Sequence, residues 1–277
     1  MDSPRDTRVP DDWPTACEVG VAGNGILDFP HVNHAARAVT TTFHACSRYR
    51  RTADDDQKEA PVNGSLPATP HPATDVLDHG WLAGQLELAR RYYGQAPGRV
   101  LGTVWWYSAS SVLVGQPLHG LLAGSPVDPS LDAVILRILP DGRFLDAWSN
   151  RPLDGGLPEF GRRLHDALEA AVRAVAAVSG ARQPALWAVA TDSIASRLLQ
   201  AGQADGDVQR AVQLAAALAE AVGGELPTPR FARVGPHLVV RRASCCLIDR
   251  TPRGTTCAAC PGQHPEERER RIRELLG

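Results

Sequence analysis

Arg241-Arg242-Ala243-Ser244-Cys245-Cys246-Leu247-Ile248-Asp249-Arg250-Thr251-Pro252-Arg253-Gly254-Thr255-Thr256-Cys257-Ala258-Ala259-Cys260-Pro261 is the stretch around which the rest of this chain is read. Four of the six cysteines fall within these sixteen positions from Cys245 to Cys260, spaced C-C-x10-C-x2-C. Four thiolates gathered by one short loop form a ligand set for an iron–sulfur cluster or a structural zinc. A disulfide between the adjacent cysteines would be strained and would leave Cys257 and Cys260 unexplained. Zinc sites draw their ligands from knuckles with a turn between the two cysteines of each pair. Cys257-Ala258-Ala259-Cys260 is such a knuckle, whereas Cys245-Cys246 has no spacer. The C-x2-C-x2-C run of many [4Fe–4S] proteins is absent. A [2Fe–2S] cluster needs two thiolates on each of two irons, and the count of four meets that need. Pro252 and Gly254 allow the loop between the two halves to fold back.

Composition narrows the alternatives. A chain of 277 residues is long enough for a sizeable core. The net charge of −2 and the pI near 6.5 give no basic excess that would point to nucleic acid. Lys58 is the only lysine, so a P-loop or a Schiff-base lysine elsewhere is excluded. Gly23-Asn24-Gly25 lacks the third glycine of a dinucleotide fingerprint and reads as a turn. Ser108, Ser110 and Ser111 stand outside any G-x-S-x-G context. The polar, proline-broken N-terminus has no apolar h-region, and no long uncharged apolar run suggests a membrane span. The expected location is therefore cytoplasmic, where clustered cysteines serve as metal or redox groups rather than structural disulfides.

Working outward, the pattern predicts an α+β fold: a mainly helical body with a small antiparallel β-sheet and a C-terminal iron–sulfur segment. Three regions are expected: 1–74 with an acidic, proline-rich loop over 51–74, a body over 75–236, and the cluster segment over 237–277. A helix is predicted over Asn33 to Tyr49. Another starts at Thr74 or Asp75 and puts Leu77, Trp81, Leu82, Leu86, Ala89 and Tyr93 on one side. Residues 99–123 read as a helix interrupted by Pro117, with Val100 to Tyr107 open to a strand reading. Ala133 to Leu139 and Arg143 to Trp148, joined by Pro140-Asp141-Gly142, read as a hairpin. Apolar residues at helical spacing mark helices over 160–178 and 208–222, with another over 184–200. Residues 237–242 read as a short strand, and 265–276 as a helix with early glutamates and later arginines.

The cysteine segment resembles the C-terminal signature of the ferric-siderophore reductase family, the FhuF-like proteins, whose mark is C-C-x10-C-x2-C around a [2Fe–2S] cluster. Arg241-Arg242-Ala243-Ser244 is similar to that family's basic lead-in. Ala185 to Ser193 resembles its Leu-Trp-Gly-Asn-type helix, with Ala188 and Val189 in place of the Gly and Asn. Leu118-His119-Gly120 and the hairpin near Val134 also resemble family elements. The resemblance runs from about 183 to 262, thins back to about 75, and is not visible before that. It implies one-electron reduction of a ferric siderophore, of hydroxamate type by expectation, with release of Fe(II). It implies Cys245, Cys246, Cys257 and Cys260 as cluster ligands and no separate acid–base residue. An external electron donor is then needed, such as a ferredoxin or a flavin- or NAD(P)H-dependent reductase. The alternatives are a zinc-stapled siderophore-binding protein without redox activity and an iron–sulfur redox sensor. Arg241, Arg242, Arg250 and Arg253 flank the cysteines; they either act on the cluster and its partners or are solvated or paired. His31, His34 and His44 read as surface histidines, with a metal-binding trio as the alternative, and Cys17 and Cys46 as buried free thiols. Asp249 and His264 read as spectators. Trp105, Trp106 and Tyr107 read as packing residues, with an apolar chelate pocket as the alternative.

Overall fold

The computed structural model describes residues 68–276. The readings on Cys17, Gly23 to Gly25, His31, His34, His44, Cys46, Lys58 and the helix over 33–49 lie outside these residues. The described chain is α+β. Six α-helices accompany two small antiparallel sheets: α1 His79–Tyr93, α2 Gly98–Leu122, α3 Gly156–Ser179, α4 Gln183–Asp205, α5 Val208–Val222 and α6 Pro265–Leu276. Strands β1 Thr69–Pro72, β2 Val134–Ile138 and β3 Phe144–Ser149 form one sheet with β2 in the middle; β4 Phe231–Val234 and β5 His237–Val240 form the other. Among the described residues no helix is long and apolar enough to cross a membrane.

The first helix begins later than the sequence suggested. Residues 69–72, within the stretch read as loop, pair antiparallel with β2, and Ala73–Leu77 is a 3₁₀ turn. Asp78 is the true N-cap of α1: its Oδ1 accepts the Trp81 N–H at 2.8 Å. Two prolines in β1 look hostile to a strand, but β1 is an edge strand, where a missing N–H costs least.

The strand alternative over Val100 to Tyr107 is overturned, because α2 is one continuous helix that runs through Pro117. Its apolar residues are buried on nearly every side, so it forms the axis of the body and packs chiefly on α4. That packing holds the helix together across the N–H that Pro117 lacks. Trp106 is fully buried and donates its Nε1–H to the Leu186 carbonyl in α4 at 2.9 Å. Ser110 and Ser193 bridge the same two helices at 2.8 Å. Gly102 lets α2 approach the end of α3; a Cβ there would stand 2.2 Å from Ser179 Oγ.

The hairpin forms where expected. Gly142 has φ +84° at the turn, and Asp141 Oδ1 accepts the Arg143 N–H at 3.1 Å. Arg137 and Asp146 pair across β2 and β3, with Nε to Oδ1 at 2.6 Å. The hairpin is tied to α3 through Asp128, whose carboxylate is fully buried. Asp128 accepts the Ser130 N–H at 2.9 Å and an Arg151 Nη1–H at 3.1 Å, and it also pairs with Arg163 of α3. Burial pushes its pKa up, but the Ser130 hydrogen bonds and the two arginines more than offset this, and the net shift is downward.

Candidate iron–sulfur centre

The second hairpin delivers the cysteine segment to the helical body. β5 leads into Arg241 and Arg242 and packs on α4. At the middle of α4, Thr191, Asp192 and Ser193 form a buried polar run inside an otherwise apolar helix. Ser193 is used by Ser110, and Thr191 Oγ1 reaches the Pro227 carbonyl at 3.1 Å. Asp192 holds the segment itself. Its Oδ1 accepts the Ala243 N–H at 2.7 Å, and its Oδ2 accepts the Ser244 N–H at 3.2 Å and the Arg242 Nε–H at 3.3 Å. Burial raises the Asp192 pKa, opposed by the Ala243 N–H, the Arg242 charge and the Ser244 N–H.

After the adjacent cysteines the chain turns sharply. Leu247 has φ +61°, the sole non-glycine residue with positive φ among those described. A left-handed leucine costs roughly 1–2 kcal/mol. In that conformation its N–H donates to Cys245 Sγ at 3.4 Å. The loop then closes on itself. Thr251 donates its N–H and its Oγ1–H to the Ile248 carbonyl at 3.1 and 2.7 Å. Gly254 follows so closely that a Cβ there would lie 1.8 Å from that same carbonyl oxygen, so glycine is required. Arg253 pins the loop to the C-terminal end of α1. Its N–H reaches the Tyr93 carbonyl at 3.2 Å, and its Nη1 reaches the Arg91 and Tyr92 carbonyls at 3.0 and 3.1 Å.

The second half is a knuckle closed by Cys260 N–H to the Cys257 carbonyl at 3.1 Å. Gln263 Nε2 donates to the Cys257 and Ala258 carbonyls at 2.7 and 3.1 Å. Arg271 on α6 then holds Gln263 Oε1 at 2.8 Å and the Thr256 carbonyl at 3.0 Å. The C-terminal helix therefore serves as a clamp on the knuckle.

These supports bring the four thiols into two pairs. Cys245 Sγ and Cys260 Sγ stand 3.6 Å apart. Cys246 and Cys257 face one guanidinium nitrogen, with Arg242 Nη1 3.8 Å from Cys246 Sγ and 3.4 Å from Cys257 Sγ. The Cys246 thiol is lowered to about 5, first by its neighbour Cys257, with burial opposing and the Arg242 guanidinium assisting. The Cys257 thiol is pushed upward by its neighbour Cys246, with burial adding to the effect. Burial raises the Cys245 thiol to about 12. Cys246 and Cys260 are buried, while Cys245 and Cys257 are partly exposed, so the centre lies at the edge of the fold. Among the described residues no three of His, Cys, Asp and Glu form a group that could hold a single metal ion.

Residues 242–261 match the family described as FhuF 2Fe-2S C-terminal domain. The end of this chain is accordingly a [2Fe–2S] segment, of FhuF type. No curated protein and no solved structure matches the chain. The residues present fit such a group: the thiols come as two pairs, Cys245 with Cys260 and Cys246 with Cys257 about Arg242 Nη1, the count two irons need. A buried guanidinium nitrogen, Arg242 Nη2, also has no hydrogen-bond acceptor.

Of the flanking arginines, the sequence could not say which act on the cysteines. Arg242 alone turns inward, and Arg241, Arg250 and Arg253 are exposed. Asp249 Oδ1 lies 3.9 Å from Cys245 Sγ, at the edge of the site. Trp106 belongs to the core. Trp105 packs edge-on to Phe144 and lines a small cleft with Tyr92, Tyr93, Ser108 and Arg143. Tyr107 lies beneath Arg242, with Cζ 4.9 Å from the ring centroid. Asp192 was missed as a site residue. The available signal was a Thr-Asp-Ser run interrupting an apolar helical face, which calls for a buried polar partner.

Proposed function

We propose that this protein is a siderophore-iron reductase that opens a ferric chelate by delivering one electron to its iron. The observation that carries the reading is the gathering of Cys245, Cys246, Cys257 and Cys260 into two thiol pairs at the surface edge of the FhuF-type segment. Those four residues are the ligands in this reading. When bound, the [2Fe–2S] group supplies one reversible electron. The chain's task is to hold it rigid and near solvent. Asp192 fixes the entry to the loop, Arg253 fixes its middle to α1, and Arg271 fixes its exit through Gln263.

The chemistry of the substrate favours a one-electron protein. Hard oxygen donors hold Fe(III) tightly and Fe(II) far more weakly, so adding one electron to a ferric siderophore, of hydroxamate type in this reading, releases its iron as Fe(II). No proton donor or nucleophile is required. The cleft between the end of α1 and the hairpin turn is next to the loop, because Arg253 bonds Tyr92 and Tyr93, which line it. Tyr92 and Arg143 there, the guanidinium stacked over the ring, offer an aromatic and cationic ledge against which a chelate would rest. The electron comes from a separate donor, such as a ferredoxin or a flavin- or NAD(P)H-dependent reductase. A structural zinc is the weaker reading, since it needs all four thiolates on one point. Anaerobic purification with iron and sulfide analysis, followed by ferric hydroxamates added to reduced protein in the presence of a ferrous trap, tests the assignment. Two irons and two sulfides per chain with trapped Fe(II) support it. Colourless protein loaded with zinc refutes it.

A further inference from the structure

The Arg242 side chain is only 8% exposed, yet its guanidinium is not used up by its one carboxylate partner. Nε points to Asp192, Nη1 lies 3.4 Å from Cys257 Sγ and 3.8 Å from Cys246 Sγ, and Nη2 is buried with no acceptor. The plane rests on Tyr107 at 4.9 Å. A cation placed like this has lost most of its water, so its field on the neighbouring sulfurs is screened far less than that of an exposed arginine. We propose that Arg242, oriented by Asp192 and Tyr107, is the positioning residue that sets the reduction potential of the centre, by its charge and by N–H···S bonds to the Cys246–Cys257 pair.

The inference rests on the four-cysteine ligation proposed above. A [2Fe–2S] group with four thiolates carries two negative charges when oxidised and three after taking one electron. A fixed positive charge against the sulfurs attracts the reduced form more, and donors to sulfur act in the same direction. Arg242 would therefore favour the reduced form, acting through the two sulfurs it faces, Cys246 and Cys257. Arg241, Arg250 and Arg253 do not share this role, because they stand in water.

Redox titration of the purified holoprotein against Arg242→Gln and Arg242→Lys, with iron and sulfide measured on each sample, is the test. Arg242→Gln is expected to disfavour the reduced state by about tenfold or more, which for a one-electron couple is a fall of about 59 mV or more. Arg242→Lys keeps the charge and should recover at least half of that fall. A loaded Arg242→Gln protein with the wild-type potential overturns the inference, as does a lysine variant that falls as far as the glutamine one. If Arg242→Gln does not fold, pulsed electron paramagnetic resonance on reduced wild-type protein labelled with ¹⁵N in the arginine guanidinium decides. Coupling of the spin to a guanidinium nitrogen is expected, and its absence overturns the inference. A wild-type protein that binds no iron and sulfide would instead refute the ligation reading.

Discussion

Asp192 Oδ1, in the centre of helix α4, accepts the backbone N–H of Ala243 at 2.7 Å, two residues before the first clustered cysteine. One carboxylate thus links the helical core to the metal-binding loop, and it does so from a buried position. Removing it would leave two backbone N–H groups and a guanidinium without their acceptor, which costs about 3–5 kcal/mol for a buried charge pair. Asp192→Ala is expected to lower the iron and sulfide content per chain severely, while far-ultraviolet circular dichroism stays close to wild type. Full loading of that variant would show that α4 does not position the loop.

Replacing any one of Cys245, Cys246, Cys257 and Cys260 by Ser is expected to bleach or destabilise the visible absorption. Cys17→Ser and Cys46→Ser should leave it unchanged. The informative case is Cys245→Ser, because the adjacent pair is the unusual half of the motif. An unchanged spectrum in that variant would show that the two neighbours do not both bind.

Gly254 offers a test that touches no ligand. A Cβ at this position would overlap the Ile248 carbonyl at 1.8 Å, so Gly254→Ala must open the loop between Cys246 and Cys257 that joins the two halves of the cysteine motif. Reduced loading with an unchanged thermal transition of the helical body is the expected outcome. Normal loading would mean that the loop tolerates a different closure.

How much of this was legible beforehand follows from the range of the interactions. The cysteine spacing, the Pro140-Asp141-Gly142 turn and the helices α3 to α6 are local patterns, and sequence carries them directly. The start of α1 was misjudged because Thr74 and Asp75 are good caps locally, while pairing of Thr69–Pro72 with β2 draws that stretch into the sheet. Pro117 looked like an interruption because propensity ignores the packing that surrounds α2 on almost all sides. Asp192 and Arg242 are fifty residues apart, and nothing in either neighbourhood names the other. Strand β4 was missed because it is short and meaningful only through its pairing with β5.

The acid limb of stability should report Asp128. Its folded pKa lies below its unfolded value, so the ionised form stabilises the fold at pH values above about 3.8, and that contribution is lost as the pH falls below this range. Glu159, lowered to about 2 by hydrogen bonds from Arg162 and Arg163, adds in the same direction. Asp128→Asn is expected to be about 2–4 kcal/mol less stable at pH 7, since it strips a buried partner from Arg151 and Arg163. It should also lose less stability between pH 5 and 3 than wild type does. Denaturant unfolding at several pH values measures both, and parallel acid limbs in the two proteins would contradict the assignment.

The claim that this chain reduces ferric chelates is tested most directly by stopped-flow mixing of anaerobically reduced protein with ferric hydroxamate siderophores in the presence of a ferrous trap. The account expects single-electron reoxidation of the protein, one trapped Fe(II) for each electron lost, and no such reaction from the cysteine variants. Reoxidation no faster than in a buffer control, across several ferric siderophores, would contradict it and leave a protein that carries an electron for some other purpose.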